Sequence, residues 1–446
     1  VYGSGNGQYN IYNQALTEKN MKSLQNAAIG REHPHVASVN INISGVDETN
    51  KANILGALYL GGNNTTVGQF AKSQFDNQEL GMLREKLVPN SGHAHINIGN
   101  HVFINNLVMG SNGSNRLDFI PYYTKDGATW IKGFENDSAF VEYCQGVDMP
   151  CTPILTFNAD RSLDHLVGSM DSKNVVIGDF VGGGASGSMT SDSLYSYTLP
   201  AGLTITGNIV GGCKNAHFIY KEEEGPEKDK VREYVGGFIP QTLNDTLSDR
   251  LQLNIFCNFK PLSIIEDKGK KYLRGSYIFG GCDEYGVIKG STDINLNSDL
   301  VGSEYASTDD LYKLIKNNAI EGCEVFGGGK GKNTKVHGKT RVTLSQRIHE
   351  DISYSPKAIG VYGGGMNGGV EGGSAVHIKD GTVHRVFAGA SRTYVNGGTF
   401  VKVGDENSTQ GSIAINTVYG GNDISGEVGY GTFTNGKGEE VKSCSY

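Results

Sequence analysis

A single tryptophan, ten prolines and seven cysteines among 446 residues set the first limits on this chain. Proline this sparse, with glycine in no strict three-residue period, excludes a collagen-type triple helix. An odd number of cysteines without a CxxC pair makes neither a closed disulfide framework nor a zinc site. Cys144 and Cys151 could close one loop, and the cysteines do not fix the compartment. No run of about twenty apolar residues occurs, so no segment has the length of a membrane-spanning helix. Lys and Arg number 39 against 47 Asp and Glu, a net charge of −8, which argues against nucleic acid as a partner. Also missing are a start methionine, a signal peptide and a lipidation motif. The chain opens inside a repeated phrase, so we expect a piece of something longer with any export signal already removed.

Nucleotide and nucleophile motifs are lacking too. Gly327–Asn333 (GGGKGKN) has the glycines and lysines of a phosphate loop, but the spacing is wrong and Asn333 stands where Ser or Thr is needed. Gly3–Gly7 (GSGNG) is no dinucleotide fingerprint, and no GxSxG elbow occurs. No cofactor is expected.

What the chain has in excess is glycine, 64 residues, beside 22 tyrosines and 17 phenylalanines. These come together in one phrase, an aliphatic residue, an aromatic or second apolar residue, then glycines. It is written VYGGG from Val361, VFAGA from Val386, VYGGN from Val418, VFGGG from Val325, IFGGC from Ile278, IVGGC from Ile209, FVGGG from Phe180 and VYGSG from Val1, with weaker copies at Leu58 and Val108. A phrase scattered over the whole length is an internal repeat. The spacing between Val325, Val361, Val386 and Val418 is uneven, so the unit tolerates insertions.

After the phrase, Gly369–Ile378, Gly286–Leu296 and Val336–Leu344 alternate apolar with polar residues at the period of a strand. A single such unit cannot bury its apolar side. Stacking like strands in parallel does so, and sends each strand's backbone hydrogen bonds to the circuits on either side. The expected fold is therefore all-β, a right-handed parallel β-helix, or solenoid. It would form one elongated domain over 1–446, with irregular circuits and insertions over 1–174 and regular glycine-rich circuits over 175–446. Glycine would serve at its corners, where some residues need positive φ. Cys213 and Cys282, at the third glycine position, read as small buried fillers.

Phe279, Phe326, Tyr362, Phe387 and Tyr419 share the second position of the phrase. If Val361 points in, Tyr362 points out. Two readings stand: these rings pack beneath neighbouring turns, or they form an exposed aromatic ladder suited to stacking on a glycan or a partner. Ser307–Ile320 has a cap, early acids and one apolar face, as does a short helix; Gln69–Val88, stopped by Pro89, reads as another. Residues 220–233 read as a solvated, charged hairpin tip.

Weaker chemical candidates each have a structural counterpart. His33 with His35, and His93 with His95, fall on one side of a strand and could meet a metal, or could simply face solvent. Asp160, Asp164 and His165 cluster two acids with a base, the equipment of a polysaccharide-cleaving site, on a segment that otherwise reads as loop. Gly420–Asp423 has a glycine–acid pattern but no nine-residue calcium repeat. Trp130 is a core anchor or a sugar platform.

The VYGGG, IFGGC and VFAGA phrases, each leading into a G-x-V-x-G…V-x-I strand, resemble the glycine-rich repeats of adhesin-like β-helical surface proteins of anaerobic Gram-negative bacteria. A looser similarity is to autotransporter passenger domains. The resemblance is closest over about 175–429. It implies a secreted or cell-surface, non-enzymatic protein presenting a long surface to glycans or host partners, with the rest of a parent chain stacked on the ends. A β-helical polysaccharide lyase or glycoside hydrolase is the alternative, and a spacer with no binding site of its own a third reading. No catalytic or metal-binding residue carries over.

Overall fold

The computed structural model describes residues 1–5, 35–63, 65–68, 91–112, 122–124, 130–132, 147–149, 152–157, 175–185, 188–189, 195–215, 250–288, 290–349, 352–404, 412–429, 431–434 and 440–443. Over these the protein is all-β apart from one helix, and the strands of its large sheets run parallel.

The repeated phrase builds an eleven-stranded sheet. Leu58, Leu107, Phe180, Ile209, Ile278, Val325, Val361, Val386 and Val418 stand opposite one another in successive pairs. All but Val418 are fully buried. Three sheets share the work. From Glu324–Phe326 the chain passes to Asn333–Val336 in a three-stranded sheet, then to Thr340–Leu344 in a six-stranded sheet. It returns at Lys357–Tyr362, which pairs with Glu324–Phe326. The next passage repeats the pattern: Gly369–Val370 pairs with the first of those strands and Ser374–Ile378 with the second. Alternate residues of each strand point into one shared core, among them Val342, Leu344, Val376 and Ile378. Each fully buried aliphatic side chain of this kind is worth about 1.5–3 kcal/mol.

The glycines of the phrase are explained by packing rather than by φ. The positive-φ glycines lie elsewhere, as at Gly322 (91°) and Gly381 (119°). Instead, a Cβ on Gly182, Gly211, Gly280, Gly327 or Gly363 would come within 2.1–2.6 Å of the carbonyl oxygen at the same position of the next phrase. The second glycine is equally confined, a Cβ on Gly281 meeting the Gly329 nitrogen at 2.6 Å. The glycines stand at bends after the strand, as expected of corners, and the positive-φ reason for them is corrected. At these five positions a side chain would have to displace the facing backbone, whereas Leu60, Met109 and Ala388 hold the same place in other copies of the phrase.

A hydroxyl in the six-stranded sheet secures the same spot. Thr292 Oγ1 donates to the Gly327 carbonyl and Thr340 Oγ1 to the Gly363 carbonyl, both at 2.6 Å. Ser374 repeats the tie at Ala388 and Thr399 at Gly420. These four residues occupy one column of the sheet. The first three ties are buried and satisfy carbonyls turned toward the apolar interior, where an unmet polar group is costly; the fourth is exposed.

Cys213 and Cys282 are fully buried and in no disulfide, small fillers as expected. Thr308–Asn317 is the helix; Ser307 caps it by accepting from the Asp310 amide, and Leu311 and Leu314 are buried. The second expected helix (69–88) and the charged loop (220–233) lie outside the described residues.

Gly327→Ala should cost about 1–3 kcal/mol, the usual penalty of overpacking. Gly420→Ala, at the same phrase position but with nothing within 4 Å of the added carbon, should change stability by less than about 0.5 kcal/mol. Urea unfolding of the two variants checks this; equal losses would contradict the close-approach explanation.

Candidate functional site

Residues two apart on a strand share a face, so each phrase aromatic has a companion two positions earlier. The pairs are Tyr277 with Phe279, Glu324 with Phe326, Gly360 with Tyr362, Arg385 with Phe387 and Thr417 with Tyr419. Strand register places the companions side by side in one column and the rings in another.

The rings stack. Centroids are 5.3 Å apart for Phe279–Phe326, 4.5 Å for Phe326–Tyr362, 5.0 Å for Tyr362–Phe387 and 4.8 Å for Phe387–Tyr419, with interplanar angles of 7–14°. Each contact of this type adds about 0.5–1.5 kcal/mol beyond area burial. A ladder therefore exists, but it is not exposed. Phe279, Phe326, Tyr362 and Phe387 are 1–3% accessible, while Tyr419 at the end is 48% accessible. An inner ring has both faces covered by its neighbours, and Tyr277 and Met366 pack against the same cluster. Only the end ring keeps a face open.

Beside the ladder lies a cluster of charged and phenolic groups. Arg385 Nη2 donates to Glu324 Oε1 at 3.1 Å, and its Nη1 stands 3.9 Å from Asp423 Oδ2. The Tyr362 hydroxyl donates to Asp423 Oδ2 at 3.0 Å and lies 3.4 Å from Glu324 Oε1. Gly360 makes room for it: a Cβ there would come within 2.8 Å of the Tyr362 ring and 2.9 Å of Glu324 Oε1. Burial raises the affinity of Glu324 for its proton, the nearby Asp423 charge adds to this, and Arg385 only partly opposes it. Burial likewise pushes the Tyr362 phenol well above its ordinary range, and Tyr277 up to about 12. Chemically the cluster can store a proton on Glu324 next to a second carboxylate. It also ties four passages of the chain to one another.

None of Glu324, Arg385 and Asp423 stood out in the sequence as a site residue. The available signal was the residue two before each phrase aromatic, Glu, Gly and Arg in three successive copies, which becomes meaningful only once those copies are known to be neighbours.

The other candidates disperse. His93 is exposed, and His95 Nε2 shares a hydrogen bond of 2.8 Å with Thr156. Among the described residues no three His, Cys, Asp or Glu side chains gather as metal ligands do. Gly327–Asn333 is a turn, with Lys330 Nζ 2.7 Å from Asp283. In the Gly420–Asp423 turn, Asn422 accepts from the Ala390 amide and donates to the Thr393 carbonyl. Cys144, Cys151, Asp160, Asp164, His165 and His33 lie outside the described residues, as does the side chain of Trp130. Among the described residues no helix is long and apolar enough to cross a membrane.

No family model, curated protein or solved structure matches the chain.

The cluster sets a pH signature. A carboxyl with a raised folded-state pKa contributes stability that is present in acid and lost as pH rises. For Glu324 the loss begins above its ordinary value of 4.5. His384 runs the other way. Burial, then the Arg385 charge, lower its pKa below 6.5, so its contribution is present above pH 6.5 and lost on acidification. Glu324→Gln should therefore gain stability relative to wild type between pH 4.5 and 7. Arg385→Met should cost about 1–3 kcal/mol at pH 7, and less at pH 4.5. Urea titrations at the two pH values read both effects; a pH-independent difference for Glu324→Gln would contradict the assignment.

Proposed function

We propose that the chain is a right-handed parallel β-helix acting as an adhesin-like, secreted or cell-surface protein, whose role is to present a long stiff surface to glycans or cell-surface partners. Parallel crossover connections prefer the right hand. The observation that supports this reading best is the unbroken register of the phrase from Leu58 and Tyr59 to Val418 and Tyr419. Its hydroxyl ties and ring stack spend their side chains on rigidity. The glycan-facing surface of this reading is not the inner ladder, whose rings are covered; Tyr419 is the member with a free face.

One observation favours the alternative of a polysaccharide-cleaving enzyme. Glu324, with its raised proton affinity, lies in the same cluster as Asp423, and the hydroxyl of Tyr362 reaches toward both. A general acid beside a second carboxylate is what glycosidic cleavage needs. Their engagement by Arg385 and Tyr362 weighs toward a structural part.

A glycan array probed with the chain, followed by product analysis of every bound oligosaccharide, decides between the two. Binding that leaves the oligosaccharides intact is expected. Shortened products that vanish in Glu324→Gln would replace the adhesin with the enzyme.

A further inference from the structure

Four residues after the aliphatic residue of each phrase, six successive layers have Gly184, Cys213, Cys282, Gly329, Gly365 and Ala390. Glycine and alanine fill this place on either side, so smallness alone does not call for cysteine in two consecutive layers.

The register brings the two cysteines together. Ile209 and Val210 stand opposite Ile278 and Phe279. The ladder then runs on through the glycines: the Gly211 amide donates to the Phe279 carbonyl at 2.8 Å and the Gly212 amide to the Gly281 carbonyl at 3.0 Å. Beyond the cysteines, the Asp283 amide donates to the Cys213 carbonyl at 3.0 Å. Cys213 and Cys282 are thus held side by side from both directions. Directly opposed Cα atoms of neighbouring strands lie about 4.8 Å apart, inside the roughly 4.4–6.8 Å that a disulfide spans. Both side chains are fully buried in the one core. The Cys282 sulfur already reaches toward the other layer, 2.7 Å from the point where a Cβ on Gly212 would sit. Glycine at 212 leaves that space to the sulfur.

We infer that Cys213 and Cys282 are a disulfide site, which staples one layer of the stack to the next when the chain folds in the presence of a small disulfide oxidant such as oxidised glutathione. The Cys213 thiolate attacks one sulfur of the oxidant and releases the first glutathione as its thiolate. The Cys282 thiolate then attacks the Cys213 sulfur of the mixed disulfide and releases the second. One S–S bond forms in the protein and one breaks in the oxidant; the two cysteines lose two electrons, and the two glutathione thiols take up the two protons. Neither cysteine is accessible in the folded stack, so the exchange belongs to the stage at which the two passages are laid on one another, and the finished bond is shielded from reductant. Closing the chain from 213 to 282 into a loop restricts the unfolded state. The other buried cysteines are placed differently: Cys323 Sγ donates to the Leu300 carbonyl at 3.1 Å, and Cys257 follows Arg250–Ile255 in the six-stranded sheet.

The full chain, reduced and unfolded in urea, is refolded with and without oxidised glutathione, alkylated, digested without reduction and mapped by mass spectrometry. A peptide pair joined through Cys213 and Cys282 should be the main cross-link after oxidative refolding, and the oxidised chain should unfold at a higher urea concentration than the reduced one. Cys213→Ser and Cys282→Ser should each abolish the link and the rise in midpoint; the stack accepts serine here, since Ser111 is fully buried at the same position of an earlier layer. Both thiols found alkylated after oxidative refolding, another pairing as the main product, or a linked chain no harder to unfold than the reduced one would overturn the inference.

Discussion

The structure depends on how closely successive phrases approach one another. At Gly182, Gly211, Gly280, Gly327 and Gly363 a carbonyl of the next passage occupies the volume in which a β-carbon would sit. The ladder hydrogen bonds fix the spacing between layers, and at these copies glycine lets the backbones meet at that spacing. At this separation parallel ladders can form, Thr292 and Thr340 can reach the glycine carbonyls opposite them, and flat rings can stack at 4.5–5.3 Å.

The two faces of the phrase strand show how one repeat serves two ends. The inward aliphatic column supplies non-directional burial and tolerates Val, Ile, Leu or Phe. The outward column is directional, with rings in contact and, beside them, Glu324, Arg385 and Asp423 held by one guanidinium and the Tyr362 hydroxyl. A partly buried ion cluster of this kind adds little net stability but penalises misalignment, because a shifted register would leave a buried carboxylate without its cation. Apolar stacking alone would allow one layer to slide along the next; a matched charge does not.

The same regularity decides exposure ring by ring among the described residues: Phe387 lies between Tyr362 and Tyr419 and is 3% accessible, while Tyr419, stacked on Phe387 alone, is 48% accessible. Burial along the column thus depends on whether a neighbouring phrase covers the ring, since the residue types are the same in each copy.

The repeat, its parallel strands, the helix after Ser307 and the fillers Cys213 and Cys282 were all legible in the residues, because each follows from local pattern: period-two alternation, a cap with early acids, a small residue in a fixed place. Glycine at the corners was legible, but the reason for it at the phrase was misread, since backbone proximity between residues some thirty positions apart leaves no local trace, whereas a positive-φ turn is the usual local explanation. The Thr292, Thr340, Ser374 and Thr399 ties went unseen for the same reason. The fate of Tyr362 and its neighbours was undecided in the sequence, because alternation says which way a ring points but not whether another ring covers it. Only the tertiary structure, by laying one phrase on the next in register, decided that four rings are buried, that Tyr419 is not, and that Glu324 shares its surroundings with Arg385 and Asp423.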